Sequence, residues 1–117
     1  MARTVLVIDD SSAFRTSARM LLQARGYEVV GVAGDIATGV STAHELRPDC
    51  VVMDINLPDG NGLDAARTLP SDGYAPAIVL VSTLDAAAIG DVESSGARGF
   101  VPKAELSGDR VQELLVV

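Results

Sequence analysis

The sequence has little cysteine, little histidine and few basic residues, and each shortage excludes a class of protein. A lone cysteine, Cys50, cannot form an internal disulfide framework. With only one histidine beside it, His44, no Cys/His zinc site can be assembled either. Nine Lys and Arg against sixteen Asp and Glu leave a net charge of −7. That balance argues against this chain gripping nucleic acid or an anionic lipid surface, since nothing would neutralise the phosphates. No apolar run approaches the roughly 18 residues needed to cross a bilayer, so no membrane partner is expected. The N-terminal MARTVLVIDD is too short and too acidic for a secretory signal, which makes the cytoplasm the expected location. Gly31 and Gly34 follow the wrong strand and do not complete G-x-G-x-x-G, leaving a dinucleotide site without support.

What is present reads as one domain, residues 1–117, with no repeat, linker or low-complexity tract. Five short β-branched runs occur at Thr4–Ile8, Glu28–Val32, Cys50–Met53, Ala77–Val81 and Gly99–Val101. The first, third and fourth are apolar throughout, the signature of central parallel strands covered on both faces. The second and fifth are more broken and suit the edges. Helical patterns separate them. Ser11 or Ser12 caps the first, whose Phe14, Ala18, Leu21 and Leu22 share a face, and Gly26 ends it. Asp35 caps the second, with Ile36, Val40 and Ala43 inward and Pro48 closing it. A short helix follows Gly62, another runs from Asp85 to near Gly96, and the last carries Val111, Leu114 and Leu115. The fold class is therefore α/β, a doubly wound sheet with helices on both faces; periodicity alone does not order its strands.

Ligands of such sheets bind at the carboxyl ends of the strands. Asp9 and Asp10 follow the first strand, Asp54 the third, Ser82 and Thr83 the fourth, and Lys103 the fifth. Three clustered carboxylates either raise a pKa or recruit a cation, and oxygen-only ligation suits a hard ion such as Mg²⁺. With Lys103 opposite, metal and ammonium together form an anion trap of the kind phosphoryl transfer needs. Asp54 is the nucleophile candidate, because carboxylates form aspartyl-phosphate intermediates. Each residue also has a plainer reading: Asp9 and Asp10 suit a helix start, Ser82 can bond nearby backbone, Lys103 can be solvated, and Phe100 can be core. His44 is expected exposed, and Cys50 a buried, inert thiol.

Four segments, VLVIDD (Val5–Asp10), VVMDINLPDGNGLD (Val51–Asp64), AIVLVST (Ala77–Thr83) and GARGFVPK (Gly96–Lys103), together resemble the receiver domain of bacterial two-component response regulators. The resemblance covers the whole chain and implies a five-stranded parallel sheet of flavodoxin-like order 2-1-3-4-5. It implies Asp54 as phospho-acceptor, Asp10 and Asp54 as direct Mg²⁺ ligands, Asp9 acting through water, and the Asn56 backbone carbonyl as a further ligand. It also implies that Lys103 contacts the phosphoryl group, that Ser82 is the hydroxyl switch, and that Phe100 is the aromatic that changes rotamer with it. Pro58 and Gly62 match the loop after the acceptor, and Asn56 and Leu84 would flank an entering water. The implied partner is a sensor histidine kinase, and the implied protein is no enzyme beyond its own phosphorylation and dephosphorylation.

Two departures stand out: Ala104 follows Lys103 where a cis-proline is common, and Thr83 is larger than the usual residue, which predicts crowding of the pocket. GFVPKAEL resembles the NarL-type subgroup, whose members often carry a C-terminal helix-turn-helix output domain for transcriptional regulation. None is expected within these residues, and a homodimer through the fourth and fifth helices has no sequence feature that supports it. Rival readings are an aspartyl-phosphate phosphatase of the haloacid dehalogenase type, a flavin or nucleotide module, and a receiver that works without phosphate. The first is opposed by Asn56 standing where a second Asp is expected, and the second by Asp9 and Asp10, which repel phosphate.

Overall fold

The structure is a computed structural model, and it describes residues 3–83 and 92–115. Five strands, β1 (Thr4–Ile8), β2 (Glu28–Ala33), β3 (Cys50–Asp54), β4 (Ala77–Ser82) and β5 (Gly99–Pro102), form one parallel sheet in the order β2-β1-β3-β4-β5. This is the flavodoxin-like order, with the two broken runs at the edges.

The apolar runs are continuous because the pleat feeds two cores at once. Leu6, Ile8, Val51, Met53, Ile78 and Leu80 join helices α2 (Ile36–Leu46) and α3 (Gly62–Thr68). Val5, Val7, Cys50, Val52, Val79, Val81 and Val101 join α1 (Ser12–Ala24) and α4 (Gly108–Leu115) on the opposite face.

Ser11 is the cap of α1, its hydroxyl accepting from the Phe14 amide at 3.2 Å. Leu21 departs from expectation and stands 36% exposed, whereas Ala18 and Leu22 are buried. At about 100° per residue Leu21 lies some 60° from Ala18 and 100° from Leu22, on the trailing edge of the buried stripe. Asp35 caps α2 by accepting from the Thr38 amide at 2.7 Å, and α2 presses so closely on the sheet that a Cβ on Gly39 would lie 2.6 Å from Ile8 Cδ1. The helix expected from Asp85, together with Leu84, lies outside the described residues apart from a 3₁₀ turn at Glu93–Ser95.

Between β3 and α3 the chain makes a hairpin, pairing Asn56–Leu57 with Gly60–Asn61 around Pro58 and Asp59. Gly62, the first residue of α3, passes so near this turn that a Cβ there would sit 2.3 Å from the Asp54 carbonyl oxygen. Only glycine fits that approach.

Candidate functional site

Adjacent parallel strands end side by side, and this brings the acids together. Ile8 pairs with Met53, so the residues that follow, Asp9 and Asp54, emerge as neighbours at the carboxyl edge. Asp9 is fully buried and Asp54 is 5% exposed, while Asp10 turns out to solvent. One carboxylate oxygen from each of Asp9, Asp10 and Asp54 lies within 4.8 Å of the others.

Lys103, just past β5, reaches across to both buried acids. Its Nζ donates to Asp54 Oδ2 at 3.1 Å and stands 2.7 Å from Asp9 Oδ2. The remaining oxygens take backbone amides: Asp54 Oδ1 accepts from Asn56 N at 3.1 Å, and Asp9 Oδ1 from Ser11 N at 2.8 Å. Asp9 Oδ2 is different. It is buried and its contact with Lys103 is an ion pair without hydrogen-bond geometry, so it has no hydrogen bond among the described residues.

Burial pushes the Asp54 carboxyl above the usual carboxylate range; the Asn56 amide and Lys103 pull it back, and the neighbouring Asp9 charge adds to the rise. For Lys103, burial disfavours the ammonium, but contact with Asp9 and Asp54 outweighs it and holds the amine above its ordinary value. Two like charges about 4 Å apart repel by roughly 4 kcal/mol at an effective dielectric of 20. One ammonium offsets only part of three carboxylates. An oxygen-only donor set with excess negative charge, one buried oxygen of which meets only an ion pair, therefore fits a hard divalent cation such as Mg²⁺.

Ser82 is fully buried at the end of β4, one residue beyond the Val81 that pairs with Asp54. Phe100, half-buried on β5, packs into the α2/α3 core, and alternation puts it on the same sheet face as Ser82. Asn56 is exposed at the base of the hairpin. Thr83, expected to crowd the pocket, is exposed. His44 is exposed as well, with Nε2 2.9 Å from the Leu69 carbonyl oxygen. Cys50 is buried at the far end of β3, and burial pushes its thiol up to about 11, consistent with an inert group.

Sequence reasoning missed two supporting residues. Phe14, read only as part of an apolar face, places its ring 4.6 Å from Lys103 Nζ, a cation–π contact that helps hold the ammonium. Arg15 Nη1 donates to the Asp9 carbonyl at 2.7 Å and ties α1 to the loop carrying the acid pair. The spacing Asp9-x5-Arg15 is the only signal in the chain for that contact.

Residues 5–115 match the family model for the response regulator receiver domain. The transcriptional regulatory protein PdtaR of Mycobacterium tuberculosis is 31% identical over 96% of this chain and 60% of its own length. A protein-glutamate methylesterase/protein-glutamine glutaminase of Alkalilimnicola ehrlichii is 38% identical over 92% of this chain and 29% of its own. The chain thus spans less than two-thirds of these relatives. Among solved structures, the signal receiver domain of the putative response regulator NarL from Mycobacterium tuberculosis superposes with a TM-score of 0.86 at 27% identity, covering 97% of this chain and 96% of that one.

Proposed function

Since the chain belongs to the response regulator receiver domain family of two-component signalling, we propose that Asp54 accepts a phosphoryl group from a sensor histidine kinase in a Mg²⁺-dependent reaction. The observation that carries this reading is the Lys103 ammonium set between the buried carboxylates of Asp9 and Asp54 beside an oxygen that lacks a hydrogen bond.

In the transfer, a carboxylate oxygen of Asp54 forms a bond to phosphorus as the bond from phosphorus to the donor histidine nitrogen breaks; the freed imidazole keeps the bonding electron pair. Lys103 leaves Asp54 Oδ2 to meet the phosphoryl oxygens, and remains anchored by Asp9 and by the Phe14 ring. Asp10 and Asp54 would hold Mg²⁺ directly, Asp9 through water, and the Asn56 carbonyl would complete the set. Bound there, the ion neutralises charge on the transferred group.

Phosphorylation raises the charge at Asp54 from one negative to about two and adds strong acceptor oxygens. Ser82 donates its hydroxyl to them, and Phe100, on the same face, follows by changing rotamer. The altered surface is read by an output domain or partner. The relatives differ in activity by name, transcriptional regulation in one and methylesterase chemistry in another. The NarL-like segment favours a helix-turn-helix output and a role in transcription. No helix among the described residues is long and apolar enough to cross a membrane, and we place the domain in the cytoplasm. It turns over no metabolite; it catalyses only its own phosphorylation and dephosphorylation.

Acyl-phosphate labelling tests this directly. Label is expected on Asp54 in the presence of Mg²⁺ and to be lost with EDTA or with Asp54→Ala. Label that survives the substitution moves the acceptor elsewhere.

A further inference from the structure

Asp59 stands at the tip of the hairpin after Asp54, and its residue type is explained by the turn alone. The structure gives it a second task. Its Oδ1 accepts from the Ile36 amide at 2.8 Å and its Oδ2 from the Ala37 amide at 3.0 Å. These are the first two N–H groups of α2, and Asp35 takes that of Thr38. A helix start leaves four such donors free, and they are ordinarily met by a residue adjoining the helix or by water. Here two are met by one carboxylate 22 and 23 positions away. That is a tertiary tie rather than a local cap.

The other end of the hairpin is fastened to the site. Asn56 donates its amide to Asp54 Oδ1, Asn56 pairs with Asn61, and Gly62 N donates to the Ile55 carbonyl at 2.7 Å. The tip also fits closely on α2: a Cβ on Gly60 would lie 3.0 Å from Ile36 Cδ1. A two-residue hairpin has little internal give, so fixing its tip constrains its base.

We propose that Asp59 is a positioning residue that clamps the hairpin onto α2 and thereby holds the Asn56 backbone against Asp54. The clamp couples the start of α2 to the acceptor loop. The two amide bonds hold the Asp59 carboxyl below the usual range, so it stays ionised and acceptor-only at neutral pH. The functional consequence rests on the reading of Asp54 as acceptor; the clamp itself does not.

Amide hydrogen exchange in the metal-free domain, with Val52 as a core reference, separates the two. Asp59→Ala is expected to speed exchange at Ile36, Ala37 and Asn56 by about fivefold relative to Val52. It should also raise the Mg²⁺ concentration for half-maximal acyl-phosphate labelling by about threefold, while labelling at saturating Mg²⁺ changes less. Should Val52 accelerate too, Asp59→Asn, which keeps one acceptor oxygen, is read in the same way. Acceleration confined to Ile36 and Ala37, with Asn56 and the Mg²⁺ dependence unchanged, overturns the clamp and leaves a helix cap. Failure of the wild-type domain to label overturns the acceptor reading, and the exchange at Asn56 still decides the clamp.

Discussion

Asp49 and Asp54 flank the same strand, one just before β3 and one at its end, and the two carboxylates stand in opposite surroundings. Asp49 is exposed. Its Oδ2 accepts from the Thr4 amide at 2.9 Å and from the Thr4 hydroxyl at 3.1 Å, and its own amide donates back to Thr4 Oγ1 at 2.9 Å. This closed exchange joins the starts of β1 and β3 in solvent, where a carboxylate is content. Asp54 is buried against a second buried acid and shares one ammonium with it. The same residue type is a fastener at one end and a strained charge at the other. Reactivity accumulates where desolvation is incompletely compensated.

Removing the shared ammonium should have the largest effect on this contrast. Lys103→Met leaves two buried carboxylates without their counter-charge and is expected to lower stability by about 2 kcal/mol at neutral pH, measured by urea unfolding. On the proposed Mg²⁺ site, added Mg²⁺ should restore part of that loss, because a ligand held by the folded state alone stabilises that state. An unchanged unfolding midpoint would mean the ammonium contributes no net stability there. Asp49→Ala, at the quiet end, should cost about 1 kcal/mol through the Thr4 bonds and leave Asp54 labelling within about twofold. Loss of labelling in that variant would break the division between the two ends.

The smallest shift is the most diagnostic in sign. The Asp54 carboxyl is raised by burial, so the native state favours its protonated form, and its ionisation weakens the fold as pH rises from the ordinary aspartate range through the raised value. Asp54→Asn is therefore expected to be more stable than the wild type at neutral pH, with the gap closing in acid. A variant less stable at every pH would show that Lys103 and Asn56 outweigh desolvation. Asp49→Ala should show no such gain.

Much of this was legible beforehand, for identifiable reasons. VLVI, CVVM and AIVLV are apolar at consecutive positions because both faces of the central strands are covered. The caps at Ser11 and Asp35 follow from one side chain and a helix start adjoining it. Contacts that join distant segments were not legible. Asp9 and Asp10 are chemically identical neighbours, yet one is fully buried and the other exposed, a difference set by how β1 meets β3. Phe14 lies 89 positions before Lys103 (103 − 14), and nothing in either local pattern announces that ring and ammonium meet. The tie from Asp59 to α2 is hidden in the same way behind an ordinary turn.

Local chemistry, then, is written in the chain itself: which runs extend, which coil, where helices begin, and which residues carry charge to the ends of strands. Which of those charges lose their water belongs to the tertiary structure alone. Burial and partnership depend on the register of non-consecutive strands, and that register places Asp9, Asp54 and Lys103 within reach of one another.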